Sequence, residues 1–203
     1  RVTMFLCPSD PDSIAEEFGL AHNHYRACAG TRPYNLKMDS PDGTGRNDGA
    51  FWFQSAVRPA DVVDGTTSTA IFSERCLGTP GRSDFRADYY LSRADESACA
   101  AASPATAPRH VSPQEWSGQR WGDGNVMYTR YHHILPPNSP SCNFGGEDFD
   151  GQVLVSASSR HPGGVNLLTA GCEARFVKDT IHPAVWRGLG TIHGREVVSS
   201  DDY

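Results

Sequence analysis

Proline and glycine set the first constraint on this chain. Its 203 residues include 20 glycines and 14 prolines, against an average of roughly 12% for the two together. Proline removes a backbone donor and glycine weakens a helix interior, so a fold built on long helices is excluded. The chain reads as short strands separated by many turns, with helix in the minority. A chain of this length buries a core without covalent staples, and one globular domain over residues 1–203 is expected.

Charge narrows the function. There are 18 basic and 24 acidic residues, a formal net charge of -6. A nucleic-acid binder needs a basic face to displace counterions, so no nucleic-acid partner is expected. The charges are scattered and 10% of the residues are aromatic, which speaks against an acidic disordered tail. No apolar run approaches the ~18 residues of a membrane span, and no signal peptide opens the chain.

Cys7, Cys28, Cys76, Cys99, Cys142 and Cys172 form an even, widely spaced set with no C-x-x-C pair. A zinc ribbon or a thioredoxin-type site is disfavoured on that ground. Up to three long-range disulfides in an oxidising compartment are expected, the alternative being six buried thiols. The pairing stays open.

Local patterns give the elements. Strands are expected over residues 2–6, 24–29, 50–53, 69–74, 126–134 and 151–157, from their β-branched and aromatic content. Residues 165–169 and 174–177 form a hairpin around Ala170-Gly171-Cys172-Glu173. Short helices are expected over 13–20, 87–102 and 181–189, the last opened by His182-Pro183 and closed by Gly190. No internal repeat is visible.

Five segments together resemble one family. They are Phe5-Leu6-Cys7-Pro8-Ser9-Asp10; Tyr25 to Thr31; Asp64-Gly65-Thr66-Thr67-Ser68-Thr69 with Glu74; His133 to Asn138 with Cys142; and Ser159-Arg160-His161-Pro162-Gly163-Gly164-Val165-Asn166. In this order they resemble the prepilin-type family defined by a His, nine residues and Asp-Gly. That family is abundant in planctomycetes, has no known function and in part carries a solute-binding label. Two departures stand out. The Asp-Gly falls on Gly171-Cys172 here, and the apolar N-terminal helix that family members carry ahead of the first motif is absent from the sequence. The resemblance implies the globular head alone, a pseudopilin-like subunit of a pilus-like or type II secretion-like assembly. Its partners would be other pilin-like subunits or secretion machinery, with membrane contact through the absent helix. His161, Gly163, Gly164, Asn166, Asp64, Gly65 and Glu74 are its motif residues, read mainly as turn-formers and secondarily as a ligand site.

Candidate chemical sites stand beside that reading. The loop from Asp39 to Gly49 sets oxygen donors between glycines, making Asp39, Asp42 and Asp48 candidate calcium ligands; an ordinary polar turn is the alternative. Glu147, Asp148 and Asp150 form a second acidic cluster. His22-Asn23-His24 lacks the context of a nuclease, and His132-His133 point to opposite faces if they lie on a strand. No nucleophile elbow, phosphate loop or dinucleotide fingerprint occurs. Trp52, Trp116, Trp121 and Trp186 are candidate sugar-stacking rings, or core.

The expectation is an α+β, pilin-like head dominated by antiparallel sheet, with few short helices, located outside the cell or in the periplasm at the cell surface. A non-enzymatic structural subunit is the first reading. An extracellular glycan- or small-ligand-binding module is the second, and a metal-dependent hydrolase the third. Calcium is the candidate cofactor.

Overall fold

The computed structural model describes residues 2–10, 21–34, 40–78, 82–92, 95–108, 117–144 and 152–196. Two sheets carry the fold. The larger contains β1 (Tyr25–Gly30), β2 (Ala70–Glu74), β4 (Arg130–His132), β7 (Gly164–Thr169) and β8 (Ala174–Lys178), in the order β4-β1-β2-β7-β8. Its pairs are antiparallel except β1 with β4. The smaller contains β3 (Tyr89–Leu91), β5 (Ser141–Asn143) and β6 (Val153–Leu154), in the order β3-β5-β6. The α+β class and the predominance of antiparallel pairing are as the sequence implies.

Three short α-helices lie among the described residues: α1 (Glu96–Ala100), α2 (Val126–Thr129) and α3 (Pro183–Leu189). None is long and apolar enough to cross a membrane. Helix α3 follows its sequence signals closely. His182 caps it by accepting the Ala184 amide at 3.3 Å, Pro183 occupies the first turn, and Gly190 closes it. Its Trp186 is fully buried and stacks on His133, with ring centroids 3.8 Å apart. Around that pair pack Val165 and Leu167 of β7, Val177 of β8, and Tyr131 of β4.

The hairpin β7–β8 also matches its pattern, and it explains two glycines. Gly163 has φ +78°, a conformation that disfavours any side chain. At Gly164 a Cβ would meet the Val177 carbonyl oxygen at 2.1 Å, so the strands pair closely only because that atom is missing. At the hairpin tip, Cys172 sits at φ 63°.

Several expected elements are replaced. Residues 2–6 hold a 3-10 turn, Thr3–Phe5; among the described residues a lone bond from the His24 amide to the Phe5 carbonyl reaches it, in place of a ladder. Residues 50–53 run beside β1 through two bonds, Gly49 to Ala29 and Phe51 to Cys28, and then turn away at Gln54. The expected helix over 87–102 divides. Tyr89–Leu91 pairs in parallel with Ser141–Asn143, and helix begins at Glu96, where the Asp95 side chain accepts the Ser97 amide at 2.9 Å. The strand expected over 126–134 starts as α2, because Asn125 Oδ1 caps the Met127 amide at 3.1 Å, and becomes β4 from Arg130. The helix expected over 13–20 lies outside the described residues.

One disulfide forms, Cys99–Cys142, joining α1 to β5. Cys7, Cys28, Cys76 and Cys172 are free thiols, so one bridge forms of the up to three expected. Burial pushes the Cys28 and Cys76 thiols up to about 12, so both stay protonated and unreactive.

Candidate functional site

Glu74 ends β2, in the middle of the larger sheet, and three sequence motifs meet on its carboxylate. Oε2 accepts the Asn166 amide at 2.7 Å, and the Asn166 side-chain nitrogen lies 3.2 Å from both carboxylate oxygens. Oε1 faces His161 Nε2 at 3.2 Å and Cys7 Sγ at 3.6 Å, and those two atoms are 3.8 Å apart. Glu74 and Cys7 are buried, whereas the His161 side chain is 30% exposed. Tyr25, opposite Glu74 in the β1–β2 register, closes the cluster. Burial, then the neighbouring Cys7 and Glu74, push its phenol up to about 12, so it remains protonated.

A second polar chain braces the cluster from behind. The Cys7 amide donates to His24 Nδ1 at 2.8 Å, which leaves the ring proton on Nε2, 3.3 Å from Asp10 Oδ2. Asp10 also accepts Arg160 Nε at 2.8 Å and the Leu77 amide at 3.0 Å, and Arg160 reaches on to Asp84. Burial works against the charged form of Asp10, but the bonds from His24, Arg160 and Leu77 outweigh it and hold the carboxyl below its ordinary range. The N-terminal motif and the His161 motif are therefore clamped by one buried carboxylate.

Beside the cluster the surface opens into an aromatic groove of about 690 Å³. Phe5, Tyr25, Phe51, Trp52, Phe72 and Trp121 are among its walls, with Asn23, Gln54, Asp123 and Asn125 supplying polar groups. Phe5 packs on Trp121 at 5.6 Å between centroids, and Phe51 on Phe72 at 5.3 Å. Trp121 is 47% exposed and Phe51 36%. A smaller hollow of about 430 Å³ shares Phe5, Tyr25 and Phe72 and extends to Asn166. The groove thus runs up to the edge of the polar cluster.

The predicted residues divide by role. Glu74, His161 and Asn166 come together; Gly163 and Gly164 shape the hairpin that carries them. Asp64 does separate work: it accepts the Gly194 amide at 2.6 Å, the Arg195 amide at 2.7 Å and the Thr191 hydroxyl at 2.9 Å, fastening the segment after α3, while Gly65 makes its turn at φ +98°. Of the calcium candidates, Asp42 accepts from Thr44 and Ser40 within its own turn, and Asp48 accepts from the Thr31 amide and hydroxyl beside Arg32. Asp39, like Glu147, Asp148 and Asp150, lies outside the described residues. Trp186 is core and cannot meet a ligand, Trp52 and Trp121 line the groove, and Trp116 lies outside the described residues. His132 and His133 are fully buried, and burial draws both down to about 3. The sequence reading passed over Cys7 as a ligand-type thiol, the Asp10–Arg160 pair, and the groove walls Phe5 and Phe51. Opposite charges inside two motifs, Asp10 and Arg160, were the available signal.

A family model described as "Protein of unknown function (DUF1559)", labelled SBP_bac_10, matches residues 1–184. The chain belongs to that family, whose label is that of solute-binding proteins. No curated protein and no solved structure matches the chain.

Proposed function

We propose that this protein is a non-enzymatic recognition module that binds a ring-bearing solute, a glycan first, in the groove between Trp121 and Tyr25. The observation that carries this reading is the exposed aromatic wall. Flat rings present apolar faces to the C–H face of a sugar, and the Asn, Gln and Asp side chains at the rim match hydroxyl groups. The volume of the groove falls within the usual range for small-ligand sites, roughly 300–1,000 Å³. The family label agrees with it. The Cys99–Cys142 disulfide supports a location outside the cell or in the periplasm.

Tryptophan fluorescence titration with cello-, chito- and xylo-oligosaccharides tests the reading. Saturable quenching is expected, and Trp121→Ala should weaken it about 10-fold, the equivalent of one good ring contact of about 1.4 kcal/mol. If none of the three series perturbs the fluorescence, or if Trp121→Ala binds unchanged, the groove is not a glycan site.

The ordered motifs favour a second reading, in which this head is carried on a pseudopilin-like subunit and packs against other pilin-like subunits or secretion machinery. Cross-linking of the full-length protein in its native cell envelope tests it: ladders of regularly spaced multimers support the assembly, and monomer alone opposes it. A calcium-dependent rise in melting temperature, lost in Asp42→Ala, would add calcium to either reading.

A further inference from the structure

We propose that Cys7 Sγ, Glu74 Oε1 and His161 Nε2 form a binding site for one divalent transition-metal ion, with zinc as the cation whose preferences they match. Among the described residues these are the one set of three His, Cys, Asp or Glu side chains whose ligand atoms all lie within 4.8 Å of one another.

The distances carry the inference. Zinc takes thiolate at about 2.3 Å and imidazole or carboxylate at about 2.0–2.1 Å, in a tetrahedron. Such bonds place sulfur about 3.5 Å from oxygen, sulfur about 3.6 Å from nitrogen, and nitrogen about 3.3 Å from oxygen. The three observed edges are 3.6, 3.8 and 3.2 Å. One triangle of a zinc tetrahedron is therefore already laid out, by residues 67, 87 and 154 positions apart. Three protein ligands leave the fourth position to water.

The donor set and its supports agree. Thiolate with imidazole selects zinc over calcium or magnesium. Two anionic ligands around a dication make a neutral site, which removes the cost of burying Glu74 as an isolated charge. Asn166 holds Glu74 Oε2 through its amide and reaches both oxygens through its side chain, which fixes Oε1 facing the other two ligands. The His161 amide donates to Ser159 Oγ at 3.0 Å, and the Cys7 amide is fixed by His24. Binding replaces the thiol proton with the metal; that proton leaves to solvent, and the imidazole proton resides on Nδ1. This site is independent of whether the groove takes a sugar.

The test is cobalt(II) titration of the full chain with the Cys99–Cys142 disulfide intact, in a Cys172→Ser background, which removes the one exposed free thiol. The expected result is one ion per chain, a thiolate-to-cobalt charge-transfer band with the visible spectrum of a tetrahedral site, and loss of both on adding zinc. Cys7→Ser should abolish the charge-transfer band. Asn166→Ala, at an exposed side chain, should keep the band and weaken affinity about 10–100-fold. Absence of the band in the parent protein, or its persistence in Cys7→Ser, overturns the proposal. Should Cys7→Ser not fold, mass mapping of alkylated cysteines with and without zinc decides: protection of Cys7 supports the site, and equal labelling overturns it.

Discussion

Two adjacent histidines make this fold sensitive to mild acid. His132 Nδ1 accepts the Val155 amide at 3.1 Å; His133 lies between the Tyr131 hydroxyl at 2.8 Å and the Trp186 carbonyl at 2.7 Å, stacked on the Trp186 ring. Both are fully buried, and burial lowers both from 6.5 to about 3, with the Arg130 charge adding to the effect at His132. The unfolded chain takes up a proton at each below 6.5, while the folded chain declines it until about 3. Their neutral form therefore favours the fold fully at neutral pH, and that advantage shrinks as pH falls from 6.5 towards 3. At pH 5 each histidine should cost about 2 kcal/mol relative to pH 7.5, and the pair about 4 kcal/mol. Since native stabilities are commonly about 5–15 kcal/mol, that is a large share. Urea unfolding at pH 7.5, 6 and 5 reads the effect. His132→Asn keeps an acceptor for Val155 but cannot titrate, so its loss between pH 7.5 and 5 should be smaller by about 2 kcal/mol. Comparing each protein with itself across pH removes any baseline change. An identical pH dependence in parent and variant would refute the reasoning.

Two further outcomes follow from the covalent frame and the hairpin. Replacing Cys99 and Cys142 together by serine opens a link across 43 residues, with an expected loss of up to about 4 kcal/mol by the loop-entropy relation; calorimetry measures it, and saccharide titration should stay unchanged because neither residue lines the groove. Cys172→Gly relieves a non-glycine residue at φ 63° and should raise stability by up to about 1 kcal/mol, seen as a higher urea midpoint at constant slope.

What the sequence made legible was mostly local. Helix α3 carries its own start and stop in His182-Pro183 and Gly190, and β7–β8 carries its alternation and its turn, so neither needs distant partners to be recognised. Most of the failures come from partners far along the chain, and one comes from a local cap. Tyr89–Leu91 becomes a strand because Ser141–Asn143 lies beside it, and residues 126–129 become helical because Asn125 caps them, against a β-branched and aromatic composition that favours strand. The cysteines show the same limit. An even number of widely spaced cysteines suggests bridges, yet Cys7 packs against Glu74 and His161 instead of another sulfur. The motif residues themselves were visible, but their convergence was not, because it is set by sheet order.

That sheet order also says why the cluster sits where it does. Strand β2 is the centre of the larger sheet, with β1 on one side and β7 on the other. Its last residue is Glu74, so Tyr25 from β1 and Asn166 from β7 meet there by register alone. A carboxylate on a central strand is costly to bury unless several partners satisfy it. Asn166 supplies two nitrogens to Glu74, its side chain reaching both oxygens, and the Asp10–Arg160 clamp holds Cys7 and His161 against Oε1. The clamp lies beneath the cluster and contributes no wall to the aromatic groove. If the cluster were only a brace for turns, a neutral hydrogen-bonding side chain at 74 could serve the same amides, with no cost of desolvating a charge. An acidic group there, with a thiol and an imidazole brought to its Oε1, is favoured when a cation completes the set.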